Sequence, residues 1–234
     1  MAERSVVIIT GASSGIGRAT AEACLAAGWR VVAVARGAKR LRTAFRGNPA
    51  VAVLAADIAA ADTPKRAVAA AKTLGRLRAV VHSAGAFTPA PLAKFKLADW
   101  NRMMDVNVTA AARLLQAALP ALRNGGTFVA IGSTAGLRPV AGYSAYCASK
   151  GALNAFVEAA ALELAPQGVR VHVVAPGVVA TPMRPDAAAV GHIHPLGRSG
   201  QPRDVAMAVR YLLSEEANWL TGVILPVDGG IHLT

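Results

Sequence analysis

The stretch that decides the fold of this chain is Val6-Val7-Ile8-Ile9-Thr10-Gly11-Ala12-Ser13-Ser14-Gly15-Ile16-Gly17, close to the N-terminus. Its opening apolar run is typical of a buried strand, and residues 19–27 have helical character. A glycine-rich turn between a strand and a helix directs backbone N–H groups and the positive end of the helix dipole towards an anion. The stretch therefore predicts a phosphate-binding turn, with a flexible surface turn as the alternative.

The spacing of the glycines narrows the kind of turn. Gly11 permits the tight turn, Gly15 lets a pyrophosphate approach the backbone, and Gly17 lets the helix pack closely on the strand. The pattern is Gly-x-x-x-Gly-x-Gly, which differs from the common dinucleotide pattern Gly-x-Gly-x-x-Gly. It also lacks the Lys-Ser/Thr ending of an NTP-binding loop, which argues against a kinase or an ATPase.

The whole chain alternates strand-like and helix-like segments. We predict strands near residues 5–10, 30–35, 50–54, 78–83, 126–132, 169–175 and 222–227, and helices near 15–27, 38–46, 62–74, 98–123, 143–166 and 202–214. Right-handed crossovers then give an α/β fold of the doubly wound Rossmann type, with a mostly or wholly parallel seven-stranded sheet and helices on both faces. Residues 1–234 are predicted to form a single domain with a short substrate lid near 182–197.

A second feature is the segment Tyr143-Ser144-Ala145-Tyr146-Cys147-Ala148-Ser149-Lys150. Tyr146 and Lys150 stand four residues apart in a helical pattern, so they share one face. A phenol titrates near pH 10, and a cationic lysine beside it favours the phenolate. A lysine together with a positively charged cofactor ring would supply the roughly 4 kcal/mol that lowers the tyrosine pKa by about three units. We read Cys147, the next residue, as a packing residue.

These motifs together resemble the short-chain dehydrogenase/reductase family, and the resemblance covers essentially the whole chain. It implies a catalytic tetrad of Asn107, Ser133, Tyr146 and Lys150. Residues 176–183 resemble the family's nicotinamide-side loop, and residues 227–230 its C-terminal signature. The implied cofactor-binding residues are Gly11, Ser13, Ser14, Gly15, Ile16, Gly17, Arg36, Asp57, Ile58, Ala84, Gly85, Tyr146, Lys150, Pro176, Gly177, Val179 and Thr181.

The resemblance implies hydride transfer between a nicotinamide and a carbonyl or alcohol carbon. In reduction, Tyr146 would donate the proton and Ser133 would polarise the carbonyl oxygen, as an oxyanion site does. Lys150 would lower the Tyr146 pKa and bind the nicotinamide ribose, and Asn107 would hold a water that links Lys150 to solvent. No metal is expected. Alternatives to an NADPH-dependent reductase are an NAD-dependent alcohol dehydrogenase and a non-catalytic dinucleotide-binding sensor, which would not need the intact tetrad.

One motif departs from the family. Where the family has Asn-Asn-Ala-Gly after its fourth strand, this chain has His82-Ser83-Ala84-Gly85. The replacement of the two amides puts in doubt the hydrogen bonds that brace the strand end. It puts the chemistry of the site less in doubt. We predict a structural histidine at position 82; a metal or proton-relay role is the alternative.

The choice between NADP and NAD depends on the end of the second strand. An acidic residue at this point would bind the adenosine ribose hydroxyls and repel a 2′-phosphate. The chain has Ala35 and Arg36 instead, and an arginine can bind a phosphate through two N–H groups. Lys39 and Arg40 add positive charge nearby. We therefore expect NADP, although Ser14 replaces the basic residue that often precedes Gly15. The alternative for Arg36 is a solvated loop residue. Asp57, after the third strand, resembles the family's adenine-contacting acid, and the alternative for it is the helix-capping aspartate of an ordinary turn.

The substrate is less well defined by the sequence. We expect a largely apolar pocket lined by Phe87, Leu137, Val140, Tyr143, Val178 and Met183. His192 and His194 lie in the lid, where a solvated role is the alternative to substrate contact. The chain is similar to 3-oxoacyl-carrier-protein reductases, but Asn124 and Gln167 stand where carrier-docking arginines are expected, which weakens that assignment.

Composition sets the remaining expectations. The net charge of +12 is spread along the chain without a basic tail or an aromatic platform, so we expect no nucleic-acid partner. No apolar run reaches the roughly 18 residues of a membrane span. Cys24 and Cys147 lack metal-ligand spacing, and the first strand leaves no room for a signal peptide, so we expect a cytoplasmic protein. From the implied chemistry we expect a small-molecule substrate. The apolar helices near 98–123 and 143–166 predict a homotetramer, with a dimer next.

Overall fold

The computed structural model describes residues 5–234. Its centre is a seven-stranded sheet in the order β3-β2-β1-β4-β5-β6-β7. Every neighbouring pair is parallel, which confirms the predicted fold class. The strands are β1 (Ser5–Thr10), β2 (Arg30–Ala35), β3 (Val51–Ala55), β4 (Arg76–His82), β5 (Thr127–Ile131), β6 (Arg170–Pro176) and β7 (Ile224–Val227).

Helices connect the strands and cover both faces of the sheet. They are α1 (Gly15–Ala26), α2 (Ala38–Ala44), α3 (Thr63–Leu74), α4 (Leu97–Met104), α5 (Ala110–Leu122), α6 (Ser144–Leu164) and α7 (Pro202–Leu213). The single helix predicted near 98–123 is wrong in one respect, because a π-helical turn, Asp105–Thr109, separates α4 from α5. No helix within residues 5–234 combines the length and the apolar character needed to cross a membrane.

Two hydrophobic cores flank the sheet. On one face, Val6 and Ile8 of β1 pack with residues of α3, α5 and α6. On the other, Val7 and Ile9 pack with residues of α1, α2 and α7. Strands buried on both faces are continuously apolar, which is why the run at 6–9 predicts a central strand. This burial fixes the sheet and places the carboxyl ends of its strands along a common edge.

Candidate active site

A cleft of about 920 Å³ runs along the carboxyl edge of the sheet. Every residue predicted above to bind the dinucleotide lines it, as do Ser133, Tyr146 and Lys150. We call the part around residues 11–17, Arg36 and Asp57 the phosphate half, and the part around Ser133, Tyr146 and Lys150 the catalytic half. The two halves form one continuous cavity, of a size typical of ligand sites.

The turn between β1 and α1 has the geometry of an anion site. Gly11 and Gly15 have φ of +68° and +53°, a left-handed conformation that favours glycine. A Cβ at Gly17 would lie 2.5 Å from the Gly11 carbonyl oxygen, so a side chain there would separate helix from turn. Ser14, the residue before α1, makes no side-chain capping bond, which leaves the first amides of the helix free for an anion. This cradle fits the pyrophosphate of a dinucleotide.

Tyr146 and Lys150 share one face of α6, as their spacing predicts. The Lys150 ammonium lies 5.8 Å from the centre of the Tyr146 ring. Its Nζ donates a hydrogen bond of 2.8 Å to the carbonyl oxygen of Ile131, at the end of β5. Lys150 is buried, and this burial lowers its pKa from 10.5 to about 8. The lysine is thus held between the strand end and the tyrosine ring.

The protein's own side chains do not by themselves lower the Tyr146 pKa. Burial raises the pKa of Tyr146 above its ordinary value, and a hydrogen bond with the Ser133 side chain opposes this effect without outweighing it. The Lys150 ammonium is directed towards Ile131, and its charge is not among the groups that lower the tyrosine pKa. Any lowering of the tyrosine pKa therefore needs charge beyond these residues.

Asn107 does not line the cleft but lies buried behind its wall, in the π-helical turn. Its Oδ1 accepts from the Ala86 N–H at 2.8 Å, and its Nδ2 donates to the Ala86 carbonyl and to Ser149 Oγ, both at 3.0 Å. Both amide N–H groups are therefore used, and one Oδ1 lone pair remains for a water. Asn107 joins the loop after β4 to α6, which carries Tyr146.

His82 has the structural role predicted for it. Its Nε2 donates to the carbonyl of Val106 in the π-helical turn at 2.9 Å, and its Nδ1 accepts from the Thr10 hydroxyl at 3.2 Å. The same hydroxyl accepts the N–H groups of Ser83 and Ala84. Burial lowers the His82 pKa to about 4, so the ring is neutral at pH 7. His82 and Thr10 thus brace the strand end in place of the usual amides.

Charged side chains surround the phosphate half. Arg36 is exposed at the end of β2 and lines the cleft with Arg40, whereas Lys39 lies outside it, beside a separate surface pocket. Asp57 accepts from the Ala59 N–H at 3.0 Å and pairs with Arg102 at 3.0 Å. Burial acts to raise the Asp57 pKa, but these two contacts and the charge of Arg36 together outweigh it, and the pKa is lowered. Arg102, which also lines the cleft, is a contact that the sequence pattern did not indicate.

The substrate side of the cleft is mostly apolar, as expected. Phe87, Val140, Tyr143, Val178 and Met183 line it, but Leu137 does not. That prediction is wrong because Leu137 follows a short 3₁₀ turn and faces solvent. Residues that sequence reasoning missed also line the cleft: Arg184, Val190, Ile193 and Ile231.

The lid histidines do not line the cleft. His192 is exposed, whereas His194 is buried. His194 Nδ1 donates to the Gly191 carbonyl, and its Nε2 accepts from the Val178 N–H at 3.3 Å. This arrangement differs from both expectations for His194, because the side chain joins the segment at Gly191 to the loop after β6. Within residues 5–234 there is no cluster of His, Cys, Asp and Glu suited to a metal ion.

Comparison with known proteins gives a consistent result. A family model described as enoyl-(acyl carrier protein) reductase matches residues 11–232. The chain is 35% identical to 2,5-dichloro-2,5-cyclohexadiene-1,4-diol dehydrogenase LinX of Sphingobium indicum, over 96% of this chain and 95% of that protein. It is 33% identical to 3-oxoacyl-[acyl-carrier-protein] reductase FabG of Salmonella typhimurium, over 99% and 98% of the two chains. A solved structure, ElxO with NADP bound, superposes with a TM-score of 0.91 at 26% identity, covering 99% of this chain and all of that one.

Proposed function

Because this chain belongs to the short-chain dehydrogenase/reductase family, whose members act on CH–OH and C=O groups, we propose that it is an NADPH-dependent reductase of a small carbonyl compound. The reaction is reversible. The observation that carries the proposal is that Ser133, Tyr146 and Lys150 line the same cleft as the glycine-rich turn.

The residues that line the cleft fit a dinucleotide along its length. The turn at residues 11–17 would hold the pyrophosphate, Asp57 and Ile58 the adenine side, and Ala84 and Gly85 the ribose next to β4. The nicotinamide would lie against Pro176, Gly177, Val179 and Thr181, with its ribose on Tyr146 and Lys150. When bound, the cofactor supplies or accepts the hydride.

The side chains supply the rest of the chemistry. The Tyr146 hydroxyl donates a proton to the substrate oxygen during reduction and takes it back during oxidation. The Ser133 hydroxyl holds that oxygen, and its hydrogen bond with Tyr146 opposes the rise in the tyrosine pKa. Lys150, held by Ile131, keeps a positive charge beside the ring. Asn107 positions α6 against the loop after β4 and has one acceptor left for a relay water.

The preference for NADP is supported by the charges at the end of β2. Arg36 and Arg40 both line the cleft where a 2′-phosphate would lie, and guanidinium groups bind phosphate well. ElxO, which this chain resembles in structure, has NADP bound. An NAD-dependent alcohol dehydrogenase is the second candidate. A non-catalytic sensor is less consistent with the chain, because it would have no need of the tetrad.

We also propose that residues 182–197 act as a lid on a single-domain enzyme, and that the enzyme is a cytoplasmic homotetramer. The support for assembly is a stripe on α6 at exposed positions Ala148, Ala155, Ala159 and Leu162, with Leu162 80% exposed. Such a face suits pairing with the same helix of a second copy. Light scattering at micromolar concentration should give a tetrameric mass, and a monomer with full activity would overturn the assembly.

A panel of ketones and alcohols, each tested with NADPH and NADH, is the direct test of function. We expect carbonyl reduction with NADPH, and we expect Tyr146→Phe to lower turnover by about 10²–10⁴-fold while NADPH binding changes little. The reason is that only the acidic hydroxyl is lost. Turnover of the variant at the wild-type rate would disprove the mechanism.

A further inference from the structure

Arg184 occupies an unusual place in the cleft. It and Lys150 are the charged side chains that line the catalytic half, among the residues that the structure describes. Lys150 is buried and bonded to Ile131. Arg184 is therefore the cation that an incoming substrate meets, in a lining that is otherwise mostly apolar. The one lining carboxylate, Asp57, belongs to the phosphate half.

A contact with the Phe87 ring holds the Arg184 side chain in position. Its guanidinium carbon lies 5.9 Å from the centre of the Phe87 ring, a cation–π distance. The Phe87 ring packs edge-to-face on Tyr146, with the ring centres 4.8 Å apart. A single aromatic ring thus separates the guanidinium from the tyrosine. With 22% of its side chain exposed, Arg184 is fixed over the cleft rather than extended into water.

The geometry around Arg184 shows which group fits it. Its Nε and Nη2 donate to the two oxygens of Asp186, each at 2.9 Å, so a carboxylate fits the guanidinium fork. Nη1 has no hydrogen-bond partner within residues 5–234. The Asp186 side chain is 57% exposed, and an ion pair so open to water is weak. A second carboxylate therefore has a free donor at Nη1, beside an ion pair that water already reaches.

We infer that Arg184 binds a carboxylate on the substrate, so that the enzyme prefers small keto or hydroxy acids to neutral ketones or alcohols. The carboxylate lies at Arg184, the carbon chain crosses the face formed by Phe87, and the carbonyl reaches Tyr146 and Ser133. Arg184 is then a specificity-determining residue. This inference rests on the proposed function, since it names the substrate class of the same site.

The test compares a keto acid with its neutral ester. Levulinate and methyl levulinate are reduced with NADPH by the wild type, by Arg184→Met and by Arg198→Met. Arg198 is a matched control, because it also pairs with an aspartate, Asp204, but does not line the cleft. We expect the wild type and the control to prefer levulinate in kcat/KM by about 10- to 100-fold. Arg184→Met should lose this preference while still reducing the ester.

Equal use of the two compounds by the wild type, or an unchanged preference in Arg184→Met, would overturn the inference. If no ketone is reduced by the wild type, the proposed function fails, and calorimetry decides on Arg184 separately. Hexanoate and hexanamide are titrated into the wild type and into Arg184→Met. Tighter binding of hexanoate in the wild type alone supports the carboxylate site, and equal binding of the two ligands by the wild type contradicts it.

Discussion

A buried, hydrogen-bonded lysine and histidine lie at and behind the catalytic half of the cleft, whereas the charged side chains of the phosphate half are exposed or only partly buried. Lys150 and His82 are buried and have pKa values of about 8 and about 4. Arg36 and Arg40 are exposed, and Asp57 and Arg102 retain 36% and 39% exposure of their side chains. Substitutions in or behind the catalytic half should therefore alter stability and turnover together. Substitutions in the phosphate half should alter cofactor binding alone.

Lys150→Met should produce the largest effect. Turnover with NADPH should fall by at least about 10²-fold, because the charge beside Tyr146 is lost. Stability should change in its pH dependence as well. The folded protein releases the Lys150 proton near pH 8, before the unfolded chain does, so wild-type stability rises with pH. From pH 7.5 to 9.5 this gain is roughly 2 kcal/mol, which Lys150→Met should lack.

Turnover assays and urea unfolding at the two pH values check both parts of this prediction. Lys72→Met, on α3 and outside the cleft, is a suitable control because it removes a lysine without touching the site. An equal pH response in the wild type and Lys150→Met would mean that Lys150 is not held in the low-pKa state that its burial indicates.

His82→Asn should produce the next largest effect, now in acid. In the wild type, burial lowers the pKa of both His82 and His172 to about 4. The unfolded chain takes up these protons near pH 6.5, so stability falls as the pH falls. Each histidine should cost roughly 2 kcal/mol between pH 7 and pH 5. His82→Asn should remove about half of the combined loss.

Urea unfolding at pH 7, 6 and 5 measures this acid sensitivity. Only the change with pH is compared, since the variant also loses the bonds to Thr10 and Val106. His192→Asn serves as the control, because His192 is exposed. If His82→Asn and the wild type lose the same stability in acid, His82 is not the source of the effect.

Arg36→Ala should act on binding alone. Loss of a charge-assisted contact with the 2′-phosphate should weaken NADPH by about tenfold or more, with NADH affinity nearly unchanged. Stability should stay within about 0.5 kcal/mol of the wild type, because the side chain is exposed. Fluorescence titration with each cofactor measures the two affinities. Lys39→Ala is the control, and equal weakening of NADPH and NADH by Arg36→Ala would exclude a phosphate-specific contact.

The parts of the molecule that follow from local pattern could be predicted from the sequence. An apolar run and the spacing of glycines determine β1, the glycine turn and the start of α1. The other predicted bounds lie within two residues of the structure. The exception is the helix divided by the π-helical turn. That turn contains Val106, whose carbonyl accepts from His82, a tertiary contact that no local pattern encodes.

The rest of the site depends on burial and tertiary contacts that no motif encodes. Spacing alone predicts that Lys150 faces Tyr146, but the direction of the tyrosine pKa depends on how deeply both groups are buried. Arg184 lies just beyond the residues that resemble the nicotinamide-side loop and has no motif of its own. Ile231 lines the cleft because Asp228 accepts N–H groups from Gly230 and His232, which folds the C-terminal segment back.

Asp57→Asn should produce the smallest effect and separates the two interpretations of Asp57. An asparagine oxygen can still accept from the Ala59 N–H, so the turn should survive and stability should change by less than about 1 kcal/mol. If Asp57 contacts the adenine side, NADPH and NADH should weaken equally, by a few-fold, because both carry that group. Because Arg36→Ala should weaken only NADPH binding, the ratio of NADPH affinity to NADH affinity distinguishes Asp57→Asn from Arg36→Ala. Arg66→Met, which removes an exposed ion pair with Asp62 outside the cleft, is the control. Unchanged affinity for both cofactors in Asp57→Asn would assign Asp57 to the turn alone.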